Sequence, residues 1–349
     1  MLFVLAAILV FGLLVIIHEL GHFFAAKASG IQVLEFGVGF GPKIFKFTYK
    51  GTLYSINVFP LGGFVKLLGE EDASLPGSLA SKSKLTRFIV LAAGSFMNAV
   101  LPVVIFSILF MVPQDVAHTD VVVTGVSVGS PAAAAGLQQG DIIKRMGDKT
   151  LNNGSDLAYR VQLNLGSSTK LEFERAGTIM STFVKPRYNP PAGQGSMGIT
   201  FDPQRNLRYV RSSDPFWEAI PKGFQRTWET LIIFKNGIAQ MLSGGSKEVS
   251  GPIGIVKISG EVAKEGFSPL FTLVALLSLN LAIMNMLPIP ALDGGRVLFL
   301  AIEAVRGKKI PAQKEALVHM IGFIILITFV VIVSYFDVAR ILSDGSANR

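Results

Sequence analysis

Four stretches of this chain are long, apolar and nearly free of charge: residues 2–26, 88–112, 269–286 and 317–335. A helix rises about 1.5 Å per residue, so each stretch can cross the roughly 30 Å of a bilayer's hydrocarbon, and the pattern predicts four transmembrane helices. Residues 31–70 alternate apolar and polar positions with period two. They carry Gly37, Gly39, Gly41, Gly51, Gly62 and Gly63, which predicts one or two β-hairpins lying against the membrane core. Residues 116–187 mix short strands with short helices. Val121-Val122-Val123 opens a strand, Ser130-Pro131 caps a short helix that Gly136 closes, and residues 152–165 place Leu157, Val161 and Leu165 at helical spacing. Residues 170–175 and 180–185 then alternate as a hairpin. Residues 214–262 read as an interfacial helical segment, because Trp217 and Trp228 recur among lysines and arginines on an amphipathic pattern. The predicted fold class is a polytopic α-helical membrane protein with four transmembrane helices, at 1–30, 86–113, 267–305 and 316–338, a membrane-associated β-hairpin element and an inserted α+β domain.

Charge orients the chain. Lys27, Lys43, Lys46, Lys50, Lys66, Lys82, Lys84 and Arg87 lie in the first connection, and Arg306, Lys308, Lys309 and Lys314 in the third. By the positive-inside bias both connections are cytoplasmic, which leaves the domain in the second connection outside. Half the side chains are hydrophobic and 16% are charged, a composition that fits a membrane protein with a modest soluble part. The net charge of +8 does not signal nucleic acid, since no basic cluster is interleaved with aromatics. The lysines and arginines gather beside the spans, as topology signals and contacts to the lipid bilayer.

Chemistry is concentrated in His18-Glu19-Leu20-Gly21-His22, near the inner end of the first span. Residues four apart share a helix face, so two imidazoles can grip one metal ion while Glu19 holds a water for attack. Ionisable groups in hydrocarbon are costly, and their default reading is functional. With no cysteine in the chain, such a zinc ion has only nitrogen and oxygen ligands.

A catalytic zinc on two histidines needs a third protein ligand. The third span is interrupted at Asn285-Met286-Leu287-Pro288-Ile289-Pro290-Ala291-Leu292-Asp293-Gly294-Gly295, and irregular backbone at that depth survives only where protein covers it or a wet cavity adjoins it. Asp293 is therefore the expected third ligand, the alternative being a helix cap for the segment that follows. Glu303 is the glutamate a rival site would use.

These motifs resemble the site-2 protease family, most of all the bacterial branch that cleaves membrane-anchored anti-sigma factors. The likeness rests on His-Glu-x-x-His in the first span, Asn-x-x-Pro-x-Pro-x-Leu-Asp-Gly in the third and Ser-Gly-Pro-Ile-Gly at Ser250–Gly254. The phrase Gly-Ser-Pro-Ala-Ala-x-Ala-Gly-Leu-x-x-Gly-Asp between them resembles a bacterial PDZ domain over 116–187. The resemblance implies Zn2+ as cofactor, His18, His22 and Asp293 as its ligands, Glu19 as catalytic base, and Asn280 and Asn285 as substrate-handling residues. It also implies a bacterial inner-membrane location with the PDZ domain extracytoplasmic. Better-known members carry two PDZ domains in tandem, whereas this chain has one copy of the phrase.

The expected substrate is a transmembrane segment of a membrane-anchored protein, an anti-sigma factor or a remnant signal peptide, with a peptide or substrate tail held at the PDZ domain. Asn285 is expected either to donate to the tetrahedral oxyanion or to tether the unwound backbone. The strand near Gly37-Val38-Gly39-Phe40 is expected to offer an edge to the unwound substrate, with ordinary tight turning as the alternative role of Gly37 and Gly39. His18 stands about 16 residues into its span, roughly 25 Å from the outer end, so cleavage is expected toward the cytoplasmic half. Two rivals stand beside this reading: a membrane-anchored metalloprotease of exposed or misfolded chains, and an inactive PDZ-bearing scaffold.

Overall fold

The computed structural model describes residues 2–70, 74–244 and 251–347, so Ser250 of the Ser250–Gly254 motif lies outside the described residues. From the N-terminus the elements are helix α1 (Leu2–Ala28), strands β1 (Val33–Tyr49) and β2 (Thr52–Leu67), helix α2 (Lys84–Met111), strands β3 (Gln114–His118) and β4 (Val121–Val126), and helix α3 (Pro131–Ala134). Strands β5 (Ile142–Met146) and β6 (Lys149–Thr150), helix α4 (Gly154–Leu163), and strands β7 (Thr169–Arg175), β8 (Thr178–Val184), β9 (Ile199–Phe201) and β10 (Arg208–Ser212) follow. The chain closes with helices α5 (Phe216–Leu242), α6 (Pro252–Glu265), α7 (Phe267–Met286), α8 (Asp293–Arg306) and α9 (Ala312–Ala347). It divides into two compact units, Met1–Phe106 with Val249–Arg349, and Ser107–Glu248.

Four helices are long and apolar enough to cross a membrane, over Ile8–Ala28, Lys84–Met111, Phe267–Met286 and Gln313–Arg340. In the last of these only 6% of the most apolar window is buried inside the protein. An exposed stripe such as Phe323, Ile324, Ile325, Phe329 and Ile332 is an aggregation surface in water and a matched one in lipid.

Within the first unit, α1 and α2 approach closely because Gly21 has no side chain: a Cβ there would lie 2.3 Å from the carbonyl oxygen of Ala93. Asp337 of α9 is buried in its span, where its carboxylate accepts the backbone N–H groups of Gly251 (3.1 Å) and Gly254 (2.8 Å). A helix start needs acceptors for its free N–H groups, and α6 takes them from α9. The single interfacial segment expected over 214–262 is two helices, α5 and α6.

The long strands β1 and β2 fold back on each other, so that one stretch of β1 is paired on both sides. Val38 faces Gly63 on one side and Ile56 on the other; Gly37 faces Phe64 and Ser55. The sheet edges are Gly63–Leu67 of β2 and Lys43–Tyr49 of β1. The expectation that the Gly37-Val38-Gly39-Phe40 strand is a free edge is thus corrected. Gly37 and Gly39 serve packing and turning: a Cβ on Gly37 would lie 2.4 Å from the Phe64 ring, and Gly39 has φ +81°.

In the second unit, a sheet of order β8-β7-β5-β4-β9 packs on α3 and α4 around Val123, Leu137, Ile143, Leu157, Leu171 and Phe173. Ser130 Oγ accepts the N–H of Ala133 at 3.1 Å, and Asn153 Oδ1 that of Asp156 at 2.9 Å, the caps that start α3 and α4. The buried Asp141 carboxylate takes two hydrogen bonds from Arg175, at 2.7 and 2.8 Å, and one from the Gln138 N–H. Strands β3 and β10 form a separate pair, which the period-two reading of 116–187 did not include.

Candidate metal centre

The opening helix delivers two imidazoles to one face, as four-residue spacing requires. His18 Nε2 and His22 Nε2 stand 3.2 Å apart, and Asp293 Oδ2 lies 3.1 Å from the first and 3.3 Å from the second. Asp293 arrives there because α7 ends at Met286 and the chain runs through Pro288 and Pro290 before α8 begins. Ala291 holds a φ of +81°, a conformation that costs a residue with a side chain of order 1 kcal/mol. Its N–H donates to His319 Nδ1 of α9 at 2.9 Å, which pins the turn. Gly294 and Gly295 let α8 start against the turn itself: a Cβ on Gly294 would lie 2.1 Å from the Leu287 oxygen, and one on Gly295 2.5 Å from the Ile289 oxygen.

This donor set fits zinc. Tetrahedral bonds of about 2.0–2.1 Å put neighbouring ligand atoms about 3.3–3.4 Å apart, close to the three separations found. Asp293 Oδ2 is buried with no hydrogen-bond partner among the described residues, and two imidazole nitrogens aimed at each other and at a carboxylate oxygen call for a cation between them. His22 Nδ1–H donates to the Val90 carbonyl at 2.8 Å, which fixes the tautomer and leaves Nε2 as a lone-pair donor.

Glu19 lies on the adjoining face of α1, in the cavity that Phe64 and Val65 of the β2 edge also line. Two cavities of about 240 Å³ each meet at this centre. One is lined by Leu14, Val15, Asn98, Leu281 and Asn285, the other by Phe64, Val65, Glu70, Leu91 and Arg296, and both include His18, Glu19 and Asp293. Arg296 and Glu70 pair at 2.6 Å on the second.

Of the residues expected at the site, His18, Glu19, His22, Asp293 and Asn285 come together, whereas Asn280, Gly37 and Gly39 line neither cavity. Asn280 and Asn285 are five residues apart on one helix, about 140° around its axis, and cannot face the same space. Glu303 is engaged by Arg87 at 2.8 Å. Sequence reasoning missed Gly94 and Asn98 on α2. A Cβ on Gly94 would lie 2.4 Å from His22 Nε2 and 2.6 Å from His18 Cε1, so the α2 backbone is the floor under both rings. Asn98 is fully buried, its amide nitrogen 3.4 Å from His18 Nδ1 and its Oδ1 without a partner among the described residues. The small-x-x-x-polar spacing from Gly94 to Asn98 is the signal that could have found them. His319 and Asp337 likewise sit in no sequence motif that assigns them a role.

Residues 6–329 match peptidase family M50. A Clostridium acetobutylicum protein provisionally named as a zinc metalloprotease is 35% identical over 341 residues, covering 96% of this chain and 97% of that one. The regulator of sigma-W protease of Bacillus subtilis is 29% identical over 422 residues, covering 97% of this chain and 98% of that one. Among solved structures, the PDZ domain of an SdrC-like protein of Listeria innocua aligns with 24% of this chain and 92% of its own, at 19% identity and a TM-score of 0.21. The chain belongs to peptidase family M50, the site-2 proteases, and is a membrane zinc metalloprotease.

Proposed function

We propose that the protein is an intramembrane endopeptidase that cuts a transmembrane segment of a membrane-anchored substrate, an anti-sigma factor or a remnant signal peptide, in the bacterial inner membrane with residues 116–187 outside. The observation that carries this reading is the approach of Asp293 to His18 and His22, beside Glu19, on helices long enough to span a bilayer. Zinc, when bound to those three residues, supplies the Lewis acidity that activates water and polarises a peptide carbonyl. Glu19 takes the proton of the attacking water and returns it to the leaving amine. Asn285, which shares the first cavity with Glu19 and Asp293, donates to the oxyanion of the tetrahedral intermediate.

A transmembrane helix hides its scissile bonds in its own hydrogen bonds and must unwind first. The edge that replaces those bonds is assigned to Gly63–Leu67, which borders the cavity containing Glu19, in place of the inner strand at Val38. Residues 116–187 are assigned as a PDZ domain. Its strand β9 ends the sheet, and Phe201 packs where Gly154 of α4 has no side chain, so a peptide or substrate tail adds along β9.

The reading is tested in proteoliposomes carrying a reporter with a transmembrane cleavage segment. Glu19→Gln retains its zinc and loses cleavage by a factor of about 10² to 10⁴. Cleavage equal to the parent's removes Glu19 from the mechanism and favours the scaffold reading. The rival site with a glutamate as third ligand is disfavoured by the engagement of Glu303 with Arg87.

A further inference from the structure

Helix α5 carries an apolar stripe that nothing in its own unit covers. Trp217, Ile220, Phe224 and Trp228 recur every three or four residues on one face and are 63%, 52%, 64% and 59% exposed, while Ala219, Gly223, Thr227 and Thr230 are buried on another. Four large side chains in a row are not tolerated facing water without a partner.

The position of the helix says which partner. Strand β10 runs beside β3, with Ser212 opposite Gln114, and the Asp214 N–H donates to the Phe110 carbonyl at 2.8 Å. Phe110 belongs to the last turn of the span that ends at Met111. The start of α5 is therefore tied to the level at which α2 leaves the bilayer. Tryptophan is the side chain that partitions best at that level, with an apolar ring and one N–H donor. The exposed Lys235 continues the same face further along the helix, and a lysine stem can lie on apolar surface while its ammonium reaches headgroups.

The other side of α5 is fastened to the inserted domain. Glu229 accepts hydrogen bonds from Tyr159 and Arg160 of α4, both at 3.0 Å, the Arg226 guanidinium sits 3.6 Å over the Tyr159 ring, and Asn236 donates to the Gln162 carbonyl at 2.8 Å. We infer that α5 lies in the bilayer surface with its Trp217–Ile220–Phe224–Trp228 stripe among the lipid headgroups, and that the Tyr159–Arg160–Glu229 contact holds the inserted domain to the membrane through it.

The chain has two tryptophans, and both are on this stripe, so the full-length protein reports on itself. It is reconstituted in phosphatidylcholine–phosphatidylglycerol vesicles whose acyl chains are brominated either near the headgroup or near the end. The expected result is blue-shifted emission, stronger quenching by the shallow bromines than by the deep ones, and protection from aqueous iodide. Trp217→Phe and Trp228→Phe read each position alone and give the same pattern. Ile220→Glu combined with Phe224→Glu shifts emission to the red and abolishes bromolipid quenching, with zinc content unchanged. Iodide quenching without bromolipid quenching in the parent would place the helix in water and overturn the inference. Protection from both quenchers would overturn it too, since protein, such as a second copy of the chain, would then cover the stripe.

Discussion

A metal centre inside a helical membrane protein depends as much on what is absent at a residue as on what is present. Gly94 offers no Cβ, and this leaves room for both imidazoles against α2. Asn98 stands behind His18, and with zinc on His18 Nε2 a flipped amide would let Oδ1 accept the Nδ1–H and satisfy the buried oxygen. Asn98→Ala should weaken zinc affinity about 10- to 100-fold with helical content unchanged, as measured by competition with a chelator; unaltered affinity would make Asn98 a packing residue only. His18, His22 and Asp293 were legible as candidate ligands because few residue types bind zinc and the spans hold few of them. Gly94 and Asn98 were not, because a glycine and an asparagine four apart in an apolar helix look like ordinary helix packing until the facing histidines are known.

A second residue-scale expectation concerns the inserted domain. Burial pushes the Asp141 carboxyl up, but the Arg175 guanidinium and the Gln138 N–H outweigh it and hold the group below the usual aspartate value. A depressed carboxylate stabilises the fold above its unfolded pKa of about 3.9, and that contribution is lost as pH falls through the folded value. Asp141→Asn should cost about 2 kcal/mol at neutral pH, and the gap to the parent should begin to narrow below about pH 4 and close once the pH is below the folded value. Protease susceptibility of this domain in the reconstituted protein reads both, and a gap independent of pH would contradict the assignment.

At the scale of elements, the period-two pattern of residues 31–70 located strands but could not say which strand was left unpaired. Pairing on both sides of Val38 comes from β1 and β2 each bending back at glycines, so that two strands make a sheet with Gly63–Leu67 on one edge. Alternate residues of an antiparallel strand turn their N–H groups to the same side, so the Gly63 N–H leaves the strand on the side of the Val65 N–H. Gly63→Pro removes that donor and Gly63→Ala adds a comparable Cβ while keeping it. The proline variant should lose cleavage of a helical substrate and the alanine variant keep most of it, both with zinc bound. Equal losses would show that space, not strand pairing, matters at that edge. The break after α7 was legible from its two prolines and two glycines, whereas the support given by His319 was not, since it comes from a helix 28 residues further on.

For the whole molecule, four spans, a strand-rich insertion and a separate α+β domain follow from apolar run lengths and periodicity, because hydrocarbon tolerates so few other patterns. What composition could not show is how a span pays for its charge, as Asp337 does by accepting the first N–H groups of α6. The central claim is that helices distant in sequence converge so that His18, His22 and Asp293 hold one zinc ion. X-ray absorption at the zinc edge of the purified protein, with metal content compared between parent and Asp293→Ala, tests it most directly. The account predicts two nitrogen and at least one oxygen neighbour at about 2.0–2.2 Å in the parent and loss of stoichiometric zinc in the variant. Full zinc occupancy with an unchanged first coordination sphere in Asp293→Ala would contradict it.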